Sequence, residues 1–135
     1  MKISKIKSIE VLDSRARPTL CTTVYLDDGS TGQAMVPSGA STGQLEAYEL
    51  RDKNDQRYGG LGVQNAVKNS EEALKILKGV SSEDQLLIDH KLIELDATEN
   101  KSKLGANAIL SVSLACARAA SNSMSISLYE YLNIM

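Results

Sequence analysis

The sequence predicts an α+β fold, a three-stranded antiparallel meander followed by a helical bundle. Three observations carry this reading. Both prolines, Pro18 and Pro37, fall in the first 37 residues and none follows. Alternating runs with β-branched residues fill the stretch up to Val36, with turn residues between them. After Gly62 the apolar residues recur at helical spacing.

The first strand is expected in segment 6–14, where Ile9 and Val11 alternate with Leu12 beside them, and residues 14–18 form a turn. The second is segment 19–26, with Leu20, Val24 and Leu26 on one face. Asp27-Asp28-Gly29-Ser30 then reads as a hairpin turn, because Asp and Gly tolerate positive φ. Segment 31–36 is the third strand. Residues 37–62 carry little periodicity and read as an unusually long connection. Val63, Ala66, Val67, Leu74 and Leu77 share a helical face that Gly79 is expected to close as a C-cap. Ser82 is the expected start of the next helix, with Leu86, Ile88, Leu92, Ile93 and Leu95 as its apolar stripe. Residues 96–103 read as a polar loop. Residues 104–120 are nearly all apolar or small, the mark of a helix buried on most faces. The serines from Ser121 to Ser127 suggest an exposed turn, and Leu128, Tyr129 and Leu132 a last helical turn.

The chain has 135 residues, with 15 Lys+Arg against 17 Asp+Glu and a net charge of −2. This length predicts one domain, spanning 1–135. The near-neutral charge argues against a nucleic-acid partner. No 18-residue apolar stretch is present, which argues against a membrane span. The segment from Met1 to Lys7 interrupts its apolar residues with lysines and does not read as a signal peptide, so the expected compartment is the cytoplasm. With no Trp and no Phe, the core must be built from Leu, Ile, Val and Ala. Cys21 and Cys116 are expected to be reduced and buried, and His90, the single histidine, to be neither catalytic nor a ligand.

Chemistry has one candidate segment, Val36-Pro37-Ser38-Gly39-Ala40-Ser41-Thr42-Gly43. Its glycines let backbone amides approach an anion, and its hydroxyls can offer oxygen to Mg²⁺. Composition alone favours a plain mobile loop, since Ser/Gly-rich connections are common, and 38–43 is expected to be the least ordered internal stretch. It lacks the Gly-Lys-Ser/Thr of a P-loop. Gly59-Gly60-Leu61-Gly62 has no βαβ unit around it to make a nucleotide site. Glu46, Glu49, Asp52, Asp89, Glu94, Asp96 and Glu99 form no acid–base pair by spacing and read as solvated or helix-end charges.

Three segments together resemble the enolase (phosphopyruvate hydratase) family. They are Val11-Leu12-Asp13-Ser14-Arg15 with Pro18-Thr19; Val36 to Gly43 continuing through Glu46-Ala47 to Glu49-Leu50-Arg51-Asp52; and Leu95 to Leu110 with its Glu99-Asn100-Lys101-Ser102-Lys103-Leu104-Gly105-Ala106-Asn107 core. Their order and spacing match the family over almost the whole chain, and the last two argue against the capping domain of some other barrel enzyme.

The resemblance implies the N-terminal domain of a glycolytic lyase that interconverts 2-phosphoglycerate and phosphoenolpyruvate. It implies a partner, the C-terminal α/β barrel, which supplies the Lys base, the Glu acid and most of the shell of two Mg²⁺ ions. This chain would supply no catalytic residue and would be inactive alone. Its contribution would be the substrate lid, Ser38, Gly39, Ala40, Ser41, Thr42 and Gly43, with Ser41 as a metal ligand. Ala16 stands where the family usually has Gly, and a positive φ there would cost about 1 kcal/mol. Cys21 and Ile9 stand where the family usually has Glu and often Arg, charges that help make its dimer. Homo-oligomerisation is therefore open, and a barrel-less, non-enzymatic protein-binding role is the alternative.

Overall fold

The computed structural model describes residues 1–38, 43 and 45–135; Gly39, Ala40, Ser41, Thr42 and Gln44 lie outside the described residues. Strands β1 (Ile3–Leu12), β2 (Pro18–Leu26) and β3 (Thr31–Met35) form an antiparallel sheet in the order β1-β2-β3. Helices α1 (Gln64–Glu72), α2 (Leu74–Leu77), α3 (Gln85–Asp96), α4 (Ala106–Ser123) and α5 (Leu128–Ile134) follow, with a 3₁₀ turn at Tyr58–Gly60. The α+β meander-and-helices fold is as the sequence predicts. None of the described helices is long and apolar enough to cross a membrane.

Each turn of the meander follows from its residues. Asp13 accepts the backbone N–H groups of Arg15 and Arg17 at 2.8 and 3.0 Å. That holds Ala16 at φ 56°, the left-handed conformation a Gly would occupy without strain. Gly29, at φ 89°, closes the second turn, where Leu26 N–H bonds Ser30 O at 2.9 Å. β1 begins three residues earlier than the alternation suggests, because Ile3 N–H bonds Val80 O and Gly79 N–H returns to Ile3 O.

Helix α4 lies across β2 and β3, and α1 across β1. The approach of α4 is so close that a Cβ on Gly32 would sit 2.1 Å from Ala119 N and 2.2 Å from Ala115 O. Leu26–Ser30 and Leu20–Val36 carry ladder bonds, so Thr31 and Gln33 turn their carbonyls to the free edge. Arg118 and Asn122 of α4 donate to those carbonyls at 2.6 and 2.7 Å and cover that edge.

Two apolar clusters fill the space beneath the sheet. One gathers Ile3, Ile6, Val24, Leu77, Ile88, Leu92, Val112 and Cys116; the other Leu20, Val36, Val63, Ala66 and Ala108. Between them runs a row of buried hydroxyls. Ser70 Oγ is 2.7 Å from both Val67 O and Ser8 Oγ; Ser8 Oγ is 2.8 Å from Thr22 Oγ1; Thr22 Oγ1 is 2.8 Å from Ser111 Oγ; and Ser111 Oγ is 2.8 Å from Ala108 O. Burial pushes the Cys116 thiol, with Asp89 nearby, up to about 12, and raises that of Cys21 as well. Both stay protonated and unpaired, as expected.

Several boundaries differ from the sequence reading. Ser82 does not cap α3: it is buried, with its N–H bonded to Met1 O, and Asp84 accepts from Leu87 N–H instead. The stripe of α3 is narrower than expected, since Ile88 and Leu92 are buried but Leu86 and Ile93 are exposed. Gly79 takes a positive φ, yet its N–H serves the sheet; α2 ends on Lys78. Ser121 is buried in α4 and not part of an exposed turn, whereas Ser127 forms a capping box with Glu130. Tyr131, not Tyr129, anchors α5.

Candidate functional site

The long connection crosses the N-terminal end of α4. Tyr48 is its first anchor: its N–H bonds Asn100 O at 2.7 Å and its carbonyl accepts from Ala106 N–H at 2.8 Å. Asn107 is the second. Its side-chain amide accepts from Leu50 N–H at 3.1 Å and donates to Leu50 O at 3.0 Å, as a neighbouring strand would. Gly105 makes room, since a Cβ there would lie 2.5 Å from Leu50 Cβ. Its φ of 93° also suits glycine. These contacts leave a cleft of about 500 Å³ between Val36, Pro37, Gly43, Tyr48, Asn107 and Leu110.

Ser38 follows Pro37, which lines this cleft, and is held by three side chains. Arg15 donates to its carbonyl at 2.8 Å. Its hydroxyl donates to Glu49 Oε2 at 3.2 Å and accepts from Arg51 Nη2 at 3.2 Å. Arg51 Nη2 also meets Glu49 Oε1 at 2.7 Å, and Nη1 donates to Leu61 O at 2.7 Å and to Pro18 O. Of the six residues expected to form the lid, Ser38 and Gly43 are described, and Gly43 lines the cleft. Gly39, Ala40, Thr42 and the expected metal ligand Ser41 lie outside the described residues, as does the expected disorder of that stretch.

A second cluster secures the far end of the connection. The helix start at Val63 has no side-chain cap of its own. Glu10 accepts from Val63 N–H at 2.7 Å, and Asp52 from Gln64 and Asn65 N–H at 2.8 and 2.9 Å. Two carboxylates from distant segments thus complement the positive end of α1. Arg57 lies between them, 2.6 Å from Glu10 Oε1. Burial raises the Glu10 carboxyl, but its bonds to Arg57 and Val63 N–H outweigh this and hold it below the usual carboxylate value.

The carboxylates read as solvated therefore divide. Glu46, Glu94 and Glu99 are exposed. Glu49 and Asp52 are built into the connection, and Asp96 is fully buried. Asp96 accepts from Leu104 N–H at 2.6 Å and from Thr98 N–H at 3.0 Å. Burial raises its carboxyl, but these bonds and the Thr98 hydroxyl win and lower it. Asp89 accepts from Gln85, and His90 is exposed. Among the described residues no three His, Cys, Asp or Glu side chains converge as a metal site. Sequence reasoning quoted Arg15, Arg51 and Asn107 but gave them no role. Their partners are largely backbone groups far away in sequence, which leave no side-chain pattern to read.

The family model described as "Enolase, N-terminal domain" matches residues 3–132. The enolase of Methanopyrus kandleri is 58% identical over 132 residues, which are 97% of this chain and 31% of that protein. The chain thus spans about a third of the length of the curated relative it matches.

Proposed function

We propose a function for a chain that belongs to the enolase N-terminal domain family: it caps a C-terminal α/β barrel in an enzyme that interconverts 2-phosphoglycerate and phosphoenolpyruvate in glycolysis, in the cytoplasm. The identity over nearly the whole chain supports this reading. Residues 1–135 act as one capping domain, and the barrel carries the acid and base.

This chain's own contribution is the loop 38–43. Gly43 lines the cleft, and Ser38, Gly39, Ala40, Ser41 and Thr42 complete the lid. Closing it over substrate excludes water from the carbon that loses its proton next to the carboxylate. Ser41 brings one hydroxyl oxygen, a hard donor that suits Mg²⁺. When bound, that ion stabilises negative charge developing on the substrate. A single hydroxyl is not a metal site, so this chain alone holds no Mg²⁺ tightly, and it performs no dehydration alone.

The test joins this chain to the rest of the enzyme and follows phosphoenolpyruvate formation from 2-phosphoglycerate with Mg²⁺. Turnover is expected; its absence in a folded complete protein refutes the reading. A second reading, protein binding without catalysis, is favoured by the outer sheet face. Ile9 and Met35 flank Cys21 there and are 60% and 58% exposed, an apolar row across three strands. Turnover by the complete protein would exclude it as the sole function.

A further inference from the structure

The guanidinium of Arg51 joins four separate pieces of chain. Nη1 serves carbonyls at the start of β2 and at Leu61, while Nη2 serves Ser38 Oγ and Glu49. Its side chain is 13% exposed, so these bonds are shielded from competing water. A planar fork can reach carbonyls on one edge and a carboxylate with a hydroxyl on the other; an ammonium is a single point and cannot. Ser38 is held at both of its oxygens, by Arg51 with Glu49 at Oγ and by Arg15 at the carbonyl. Its neighbours Val36 and Pro37 are already fixed, because Thr19 donates to Val36 O at 2.6 Å and Val36 N–H bonds Leu20 O.

We propose that Arg51 is a positioning residue: by clamping Ser38 against Glu49, Pro18 and Leu61 it fixes the first residue of the proposed lid. The functional part of this proposal rests on the lid reading above. A loop with a fixed origin searches fewer conformations, so less entropy opposes its ordering over substrate. Arg51 touches no reacting atom in this role and acts through Ser38.

Two variants separate positioning from plain stability. Ser38→Ala removes one hydroxyl from the clamp and leaves the Arg51 carbonyl bonds in place. Arg51→Lys keeps the charge but loses the fork. Amide hydrogen exchange of the 135-residue chain is read segment by segment. In both variants exchange at Val36, whose N–H bonds Leu20 O, and at Tyr48, Leu50, Asp52 and Lys53, whose N–H groups bond Asn100, Asn107, Gly62 and Gly60, is expected to quicken at least tenfold, with the centre of α4 unchanged. In the complete enzyme, both are expected to lower kcat/KM about tenfold and raise half-saturating Mg²⁺, with Ser38→Ala leaving the Tm within a few degrees. Unchanged exchange in Ser38→Ala and in folded Arg51→Lys overturns the clamp. Exchange that quickens while turnover and Mg²⁺ dependence stay unchanged overturns its role in function. An inactive wild-type enzyme with quickened exchange in the variants keeps the clamp, and overturns the lid reading together with the functional role.

Discussion

Replacing Asn107 with Asp changes one atom of consequence. The carboxylate can still accept from Leu50 N–H, but an oxygen now faces Leu50 O, where the amide nitrogen donated at 3.0 Å. Two effects oppose each other. Asn107 is the second residue of α4, where a negative charge gains about 0.3–1 kcal/mol from the helix dipole. Against this, a lost bond to a part-buried carbonyl costs about 1–3 kcal/mol. Charge at a residue only 4% exposed and facing a carbonyl oxygen adds to that cost. The loss wins, by about 2 kcal/mol at pH 7, a large share of the roughly 7–20 kcal/mol expected for a chain this long. The sign with pH is distinctive. Burial and the facing carbonyl raise the folded-state pKa of the new carboxyl above its unfolded value near 3.9. Protonation therefore favours the folded state, and the protonated carboxyl can donate to Leu50 O again. The deficit against wild type should shrink as pH falls from 7 through the raised folded pKa towards about 3.5. Urea denaturation of both proteins at each pH measures it. A deficit below about 0.5 kcal/mol at pH 7, or one that does not change with pH, would refute the role assigned to Asn107.

Other expectations follow from the same contacts. Gly32→Ala should destabilise by about 3 kcal/mol, because the partners at 2.1 and 2.2 Å are helix backbone and α4 must withdraw as a whole; an unchanged urea midpoint would contradict this. The folded Glu10 carboxyl sits below its unfolded value, so its stabilisation is full above about pH 4.3 and is lost as pH falls through the folded value. Glu10→Gln should accordingly flatten the acid limb of stability, and an acid limb parallel to wild type would sink that assignment. In the complete enzyme Ser41→Ala should lower activity most at limiting Mg²⁺ and leave the Tm almost unchanged; equal activity across a Mg²⁺ series would return residues 38–43 to a plain connection. The 135-residue chain alone should form no phosphoenolpyruvate above a protein-free control and give no specific heat of Mg²⁺ binding in calorimetry.

Local chemistry was the legible part of this molecule. The Asp28-Gly29 turn, the three alternating runs and the small-residue helix from 104 onwards each announce themselves within a few residues. So did the strain at Ala16, because a departure from Gly at a turn makes a definite claim about φ. What failed was choice among equivalents. Ser81, Ser82 and Asp84 are all competent caps, and Ser82 was withdrawn by Met1, a residue 81 positions away. Leu86 and Ile93 fit the stripe of α3 by period, but α3 packs against α4 and α2, and that contact buries only Ile88 and Leu92 of the stripe. The site was half visible: its small-residue loop stands out, whereas Arg51, Asn107 and the Glu10–Asp52 pair act on backbone groups of other segments. Gly32 could have been flagged, since glycine within a strand often marks a close approach of another backbone.

The buried hydroxyl row has a property that follows from counting its protons. Four hydroxyls, Ser70, Ser8, Thr22 and Ser111, lie in line between two carbonyl oxygens, which makes five oxygen–oxygen gaps for four protons. One gap is therefore always empty, and turning a single O–H moves the vacancy to the next gap. The protons of the seam between the two halves of the core thus have more than one possible arrangement even though every heavy atom has one place. Deleting any one hydroxyl leaves three protons for at most three gaps, so no donor is orphaned. Thr22, in the middle, should then be no costlier to lose than Ser111 at the end. That gives this polar layer a tolerance of substitution that buried hydrogen-bond networks rarely have.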